Sequence, residues 1–218
     1  NEAGFLLSEF GSVGEIDSVA KSFGMPMGPL RLIDEVGIDV SGHAGASLHA
    51  GLGDRLEPSP LLLELGNTDR LGRKGGLGFY RYEDGKEKEV DPGIYPALGL
   101  AGDGSAGGDA SERARVIRRR LVLAMINEAA RILDDGIVTA AQDVDLGMIM
   151  GTGFPPFRGG LLRFADTLHP RGVLDRLKEL HDQFGVRFEP APLLVRLAAD
   201  DRTFYDAFPG STGSAPGG

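Results

Sequence analysis

The segment Asn1-Glu2-Ala3 returns as Asn127-Glu128-Ala129, and the residues downstream of each copy correspond as well. Ile16-Asp17 is matched by Val144-Asp145. The run from Phe23 through Gly24-Met25-Pro26-Met27-Gly28-Pro29 to Leu30-Arg31-Leu32-Ile33-Asp34 is matched by Gly151 to Asp166, which contains Phe154-Pro155-Pro156-Phe157-Arg158-Gly159-Gly160. The offset grows from 126 at the asparagines to 128 at the first aspartate pair and 132 at the last. Such a drift marks one fold unit used twice with small loop insertions. A duplicated unit tends to pack on its own copy. The expectation is therefore an all-α chain of two homologous helical units forming an internal pseudo-dimer.

The local signals agree with helices. Ser12 is an N-cap candidate with Glu15 at the capping-box position. Val13, Ile16, Val19, Ala20 and Phe23 lie beyond it at helical spacing, and Gly24 ends the run. Pro29 suits the first turn of the next helix, which Gly37 stops. Another helix is expected from Asp39 or Ser41 to about Gly51, and an apolar run covers Leu61 to Leu65. Phe79 to Tyr82 reads as a short extended segment. The second copy is expected to begin at Ser111 with a helix reaching about Asp135. No face of Leu121 to Ile126 is polar, so that turn should be covered on all sides. The expected divisions are a first domain over 1–89, a linker over 90–110, a second domain over 111–209 and a Gly/Ser/Pro tail over 210–218.

Charge and composition exclude several classes. A net charge of −9 opposes nucleic-acid binding, which needs a basic field. No apolar run approaches membrane-spanning length; Leu121 to Ile126 has six residues. The absence of cysteine removes disulfides and thiol chemistry and fits a reducing, cytoplasmic setting. A chain that opens inside a repeated motif, without a start methionine, is expected to be a fragment of something longer.

Candidate chemistry is sparse. Gly102 to Gly107 matches G-x-G-x-x-G, but no strand precedes it and the stretch has linker composition. His43, His49, His169 and His181 form no zinc pattern, and no metal site is expected. Arg113, Arg115, Arg118, Arg119 and Arg120 read as a solvated helix face, with salt bridges as the next reading. Glu2 and Glu128 are expected to be structural anchors, each accepting hydrogen bonds from the Gly/Pro loop of its own unit. The glycine-rich stretch Gly72-Arg73-Lys74-Gly75-Gly76-Leu77-Gly78-Phe79-Tyr80 fits a phosphate loop and a tight turn before a strand equally well.

Taken together, Phe23 to Asp34 with Val36 to Asp39, Gly72 to Tyr80, and Gly153 to Gly160 with Asp166 resemble the C-terminal helical region of 3-hydroxyacyl-CoA dehydrogenases. The type is that of the multifunctional fatty-acid oxidation complex α-subunit. The resemblance covers nearly all of the chain except the 90–110 linker and the tail. It implies a parent enzyme of fatty-acid β-oxidation, an oxidoreductase that oxidises 3-hydroxyacyl-CoA to 3-ketoacyl-CoA. NAD would be bound by an upstream Rossmann domain that carries the catalytic His–Glu pair. The two helical domains would replace a dimer partner, and an upstream enoyl-CoA hydratase module and a thiolase subunit are possible partners. No catalytic residue and no cofactor are expected on this chain, which alone should be inactive. Met25, Pro26, Met27, Gly28, Arg73 and Lys74 are the residues expected on the acyl-CoA side. The alternative is a free-standing helical assembly module without catalysis.

Overall fold

The computed structural model describes residues 1–100 and 107–210. The chain divides into two compact units, Asn1–Leu121 and Val122–Gly218. The glycine pattern at Gly102 to Gly107, apart from Gly107, and the tail beyond Gly210 lie outside the described residues.

The first unit contains α1 (Glu2–Phe10), α2 (Val13–Phe23), α3 (Pro29–Val36), α4 (Ile38–Leu52) and α5 (Pro60–Leu65). The hairpin β1 (Tyr80–Glu83) and β2 (Lys86–Val90) comes next, then α6 (Ile94–Ala97) and the first half of α7 (Ala110–Asp134). Local sequence sets these boundaries. The Ser12 hydroxyl accepts from the Glu15 N–H at the start of α2, and Gly24 closes that helix at a φ of 118°. Pro29 and Pro60 occupy first turns, where their missing N–H costs nothing. The hairpin turns at Asp84-Gly85, both at positive φ, a dipeptide that suits the twist of antiparallel strands. Among the described residues the fold is thus mostly helical, with one two-stranded sheet that the extended segment at Phe79 to Tyr82 only half announces.

The core of this unit joins Leu6, Leu7, Val13, Ile16, Leu30, Ile38, Leu65 and Phe79. It also takes in Ile94, Tyr95, Leu98 and Ile117. Residues 91–100 are therefore packed, and the unit runs to Leu121 rather than stopping at residue 89. Asp91 reinforces this segment by accepting from Arg70 at 2.6 Å and Arg81 at 2.7 Å.

The second unit takes up the end of α7 and continues with α8 (Ala141–Thr152), α9 (Leu161–Thr167), α10 (Pro170–Phe184), α11 (Pro192–Asp200) and α12 (Phe204–Ala207). Its core gathers Ile126, Ala130, Leu133, Ala141, Phe154, Leu161, Leu162, Val173, Leu177, Phe188, Leu194 and Phe204. Residues 121–126 have no exposed member, as their unbroken apolar run requires.

Candidate functional site

Each unit is built around a carboxylate that caps a helix belonging to a different part of its own chain. The first N–H groups of a helix have no partner within it. In α3 the Leu30 and Arg31 N–H groups donate to Asp17, both at 2.9 Å. In α9 the Leu162 and Arg163 N–H groups donate to Asp145 at 2.6 and 3.0 Å. The negative charge also faces the positive end of the helix dipole. A tyrosine completes each set: Tyr80 Oη donates to Asp17 and Tyr205 Oη to Asp145, each at 2.8 Å.

This long-range cap explains the glycine that precedes each helix. A Cβ on Gly28 would overlap the Asp17 carboxyl, and one on Gly160 would overlap that of Asp145. The local N-cap position stays empty so that a remote aspartate can enter.

The later aspartate of each copy does the same for the end of its unit. Asp34 accepts from the Phe79 and Tyr80 N–H groups at 3.0 Å and from Tyr82 Oη at 2.9 Å. Asp166 accepts from the Phe204 and Tyr205 N–H groups at 2.8 and 3.2 Å. Burial holds the carboxyls of Asp17, Asp34 and Asp166 above their usual range, against the opposing pull of these hydrogen bonds. Burial and the neighbouring carboxylates raise the phenols of Tyr80 and Tyr82, and push that of Tyr205 up to about 12.

The repeated asparagine has its own task. Asn1 Nδ2 donates to the Leu56 carbonyl at 2.8 Å, and Asn127 Nδ2 donates to that of Glu189 at 2.8 Å. Each ties its helix to a Pro-flanked stretch, Leu56-Glu57-Pro58-Ser59-Pro60 or Phe188-Glu189-Pro190-Ala191-Pro192. These also repeat, at the offset of 132.

Asp17 and Asp145 accept from the N–H groups that follow each Gly/Pro loop. Glu2 accepts from Arg120 Nε at 2.6 Å, and Glu128 lies 3.4 Å from Arg131 one turn along its own helix. Both glutamates lie on the helix that carries the Asn-Glu-Ala motif, whereas the aspartates stand on the next helix, beside the loop. Both aspartates are visible in the repeat; the signal for their role is a glycine where a helix would ordinarily carry its own cap. The expected solvated arginine face also divides. Arg115 pairs with Glu112 on the surface, while Arg120 is fully buried against Glu2 and Glu9.

The glycine-rich stretch resolves toward a turn. A Cβ at Gly78 would overlap the Asp34 carboxyl, and one at Gly72 the Asp34 backbone. The Phe79 and Tyr80 N–H groups that could cradle a phosphate are occupied by Asp34. Arg73 pairs with Glu35 at 2.9 Å and Lys74 with Asp39 at 2.6 Å, both cations half exposed. Pro26 is exposed, Met25 and Met27 are half-buried, and Gly28 is buried. His49 and His181 each place Nδ1 near a glycine carbonyl, Gly53 or Gly185, at 3.3 and 3.0 Å. Among the described residues no group of three acidic, histidine or cysteine side chains could hold a metal, and no helix is long and apolar enough to cross a membrane.

Each copy of the repeat thus carries two aspartates that accept from backbone N–H groups later in its own unit. Residues 1–82 and 117–206 match the family described as 3-hydroxyacyl-CoA dehydrogenase, C-terminal domain, and the chain belongs to that family. It is 42% identical over 207 residues to the fatty acid oxidation complex subunit alpha of Shewanella loihica, covering 94% of this chain and 28% of that protein. The same subunit of Shewanella amazonensis gives the same identity and coverage. The chain thus spans under a third of the curated relatives it matches. The fold is similar to that of a 3-hydroxybutyryl-CoA dehydrogenase from Escherichia coli, with a TM-score of 0.69 at 23% identity over 92% of this chain and 57% of that one. The dehydrogenase part of multifunctional enzyme 1 from Caenorhabditis elegans gives 0.64 at 24% identity, over 89% and 44%.

A dinucleotide site needs a strand–turn–helix unit within a parallel sheet, and the sheet among the described residues is one antiparallel hairpin.

Proposed function

We propose that this chain is the helical C-terminal part of an NAD-dependent 3-hydroxyacyl-CoA dehydrogenase of fatty-acid oxidation, which converts 3-hydroxyacyl-CoA to 3-ketoacyl-CoA. The observation that carries the reading is the family match, found once in each copy of the repeat, together with 42% identity along 94% of the chain. Hydride transfer requires a nicotinamide and a base on the substrate hydroxyl. Both belong, on this reading, to the preceding part of the parent polypeptide. The two copies take the place of the two subunits of a dimer. The relatives are named as one subunit of a complex, which favours a second subunit as partner; a thiolase is the candidate, and a hydratase module fits the remaining length of the parent.

This chain's own contribution is positional. The Asp17-capped loop from Met25 to Gly28 and the cations Arg73 and Lys74 form the side proposed to meet the acyl-CoA. Glu35 and Asp39 hold the two cations in place while leaving each half exposed, so a CoA phosphate could approach them.

The test joins this chain to its upstream sequence and follows NADH formation from a 3-hydroxyacyl-CoA, with this chain alone as control. The joined protein is expected to be active and the chain alone silent. Arg73→Ala with Lys74→Ala in the joined protein should raise KM for the acyl-CoA about tenfold and leave kcat nearly unchanged. A joined protein that folds and binds NAD but does not turn over would leave the assembly module as the better reading.

A further inference from the structure

At the offset of 132, α4 of the first unit aligns with α10 of the second. The register is fixed at the far end of both helices. His49 and His181 each place Nδ1 near a glycine carbonyl, and that glycine, Gly53 or Gly185, closes the helix. Pro58 and Pro190 follow at the same offset. Within this common frame the copies differ in bulk. The second carries Val173, Leu174 and Leu177, all buried. The first has Ser41, Gly42 and Gly45 at those positions. The facing wall is kept, since Leu62 and Leu65 stand where the second unit has Leu194 and Leu197.

The smaller residues of α4 border a groove in the first unit. It holds about 350 Å³ of space, part of it open to solvent, a size within the range of small-molecule sites. Ile33 of α3, Ile38 of α4, Pro58 and Leu62 of α5 line it together with the two glycines. A Cβ at Gly42 meets nothing within 4 Å, and one at Gly45 meets only Pro58 and Asn1, at 3.8 and 3.9 Å. Neither position has a backbone angle that calls for glycine, and glycine inside a helix is less favourable than alanine. Among the described residues no charged side chain lines the groove. Its polar side chains are Ser41 and Asn1, and the Asn1 amide already donates to the Leu56 carbonyl. Such a lining selects an occupant by shape and apolarity rather than by hydrogen bonds.

Resting on the proposed function, we infer that this groove receives the alkyl tail of the acyl-CoA, and that Gly42 and Gly45 govern the length of tail accepted. The second copy identifies the chemistry of the occupant, because aliphatic side chains occupy the matching positions there. Charge agrees with it. Ile38 begins α4 beside Asp39, whose carboxylate pairs with Lys74, and Arg73 pairs with Glu35 of α3. A neutral groove with two half-exposed cations near one end complements an amphiphile, its anionic part outside and its tail within. Each methylene that leaves water for the groove tightens binding about fourfold. An acyl group too short to reach it gains none of this.

The test writes the second copy into the first, as Gly42→Leu with Gly45→Leu in the joined protein. The quantity read is kcat/KM for 3-hydroxydodecanoyl-CoA divided by kcat/KM for 3-hydroxybutanoyl-CoA. This ratio is expected to fall at least about tenfold. Should the double variant not fold, Gly42→Leu alone is expected to lower the ratio about threefold. A second reading needs no turnover. The chain that begins at Asn1 is titrated with cis-parinaric acid, a fluorescent alkyl probe, and dodecanoate is used to displace it. Affinity for the probe is expected to drop at least about tenfold in the double variant. An unchanged ratio overturns the inference, as does probe binding indifferent to the substitutions. Equal loss for the two substrates also overturns it, and is the result expected if a protein segment of the parent fills the groove. Dehydrogenase activity with an unchanged ratio would leave the proposed function standing. Probe binding that the substitutions remove, in a joined protein that never turns over, would support the alkyl site and sink the proposed function instead.

Discussion

A buried carboxylate survives only if its oxygens are filled with donors, and the buried Asp17, Asp34 and Asp145 and the half-buried Asp166 each take two backbone N–H groups. Removing the Asp17 or Asp145 carboxylate strands one buried and one part-buried backbone amide, each worth about 1–3 kcal/mol. Asp17→Ala and Asp145→Ala are therefore each expected to cost about 3 kcal/mol in denaturant unfolding, whereas Tyr80→Phe, which removes only the third donor to Asp17, should cost about 1 kcal/mol. The acid response of these residues has an unusual sign. For Asp17, Asp34 and Asp166 the folded state holds the proton more tightly than the unfolded state. Their contribution is fully present below the unfolded carboxylate pKa and is lost as pH rises through the raised folded value. Asp91 runs the other way: its lowered pKa gives stability above the unfolded value that is lost as pH falls through the folded one. Melting the wild type and Asp166→Asn between pH 4 and pH 7 checks this. The cost of Asp166→Asn should shrink from pH 4 toward pH 7, whereas that of Asp91→Asn, measured in the same way, should grow.

At the level of elements, glycine has opposite meanings at different places in the same chain. Gly42 and Gly51 lie inside α4, and a Cβ at either meets nothing within 4 Å. Alanine there should stabilise by about 0.5–1 kcal/mol each through helix propensity. Gly28→Ala should destabilise by more than about 2 kcal/mol, because the new methyl displaces the Asp17 cap. Thermal melts of the three variants check the contrast in sign. The same distinction governs how much is legible in the sequence. Helix starts at Ser12 and Pro29 and stops at Gly24 and Gly37 are readable because their signals are local. The repeat is readable because both copies keep Asp17 with Asp145 and Asp34 with Asp166. The role of those aspartates is not, since it rests on a Gly28–Asp17 approach between residues eleven apart in sequence. The second strand is hard to read although Asp84-Gly85 announces it, because Lys86-Glu87-Lys88-Glu89 carries no apolar alternation. The copies also differ where pattern alone misleads: α10 buries Val173, Leu174, Leu177 and Leu180, while the matching positions of α4 are Ser41, Gly42, Gly45 and Leu48, and α4 buries Ile38 alone.

For the molecule as a whole, the boundary of the first unit decides what can fold alone. Composition places a linker from residue 90, yet Asp91, Ile94, Tyr95 and Leu98 are buried, and the core reaches Ile117. A fragment ending at Leu100 would keep the hairpin and α6 but lose Arg113, Ile117 and Arg120. Burying an isoleucine contributes about 2–3 kcal/mol. Hydrogen bonds to charged groups add about 1.5–3 kcal/mol each where water is excluded, as it is at Arg120. A fragment ending at Ile126 restores all three residues and the first half of α7. The shorter fragment is therefore expected to melt at least about 10 °C below the longer one, since 1 kcal/mol moves the midpoint of a domain of this size by about 4–8 °C. Circular dichroism melts of the two fragments make the comparison. Within the longer fragment, Arg120→Ala should reproduce most of the deficit, because it removes the buried guanidinium that Glu2 and Glu9 both pair with. Equal midpoints for the two fragments would mean that the first unit ends where the composition changes and that the first half of α7 adds nothing to it.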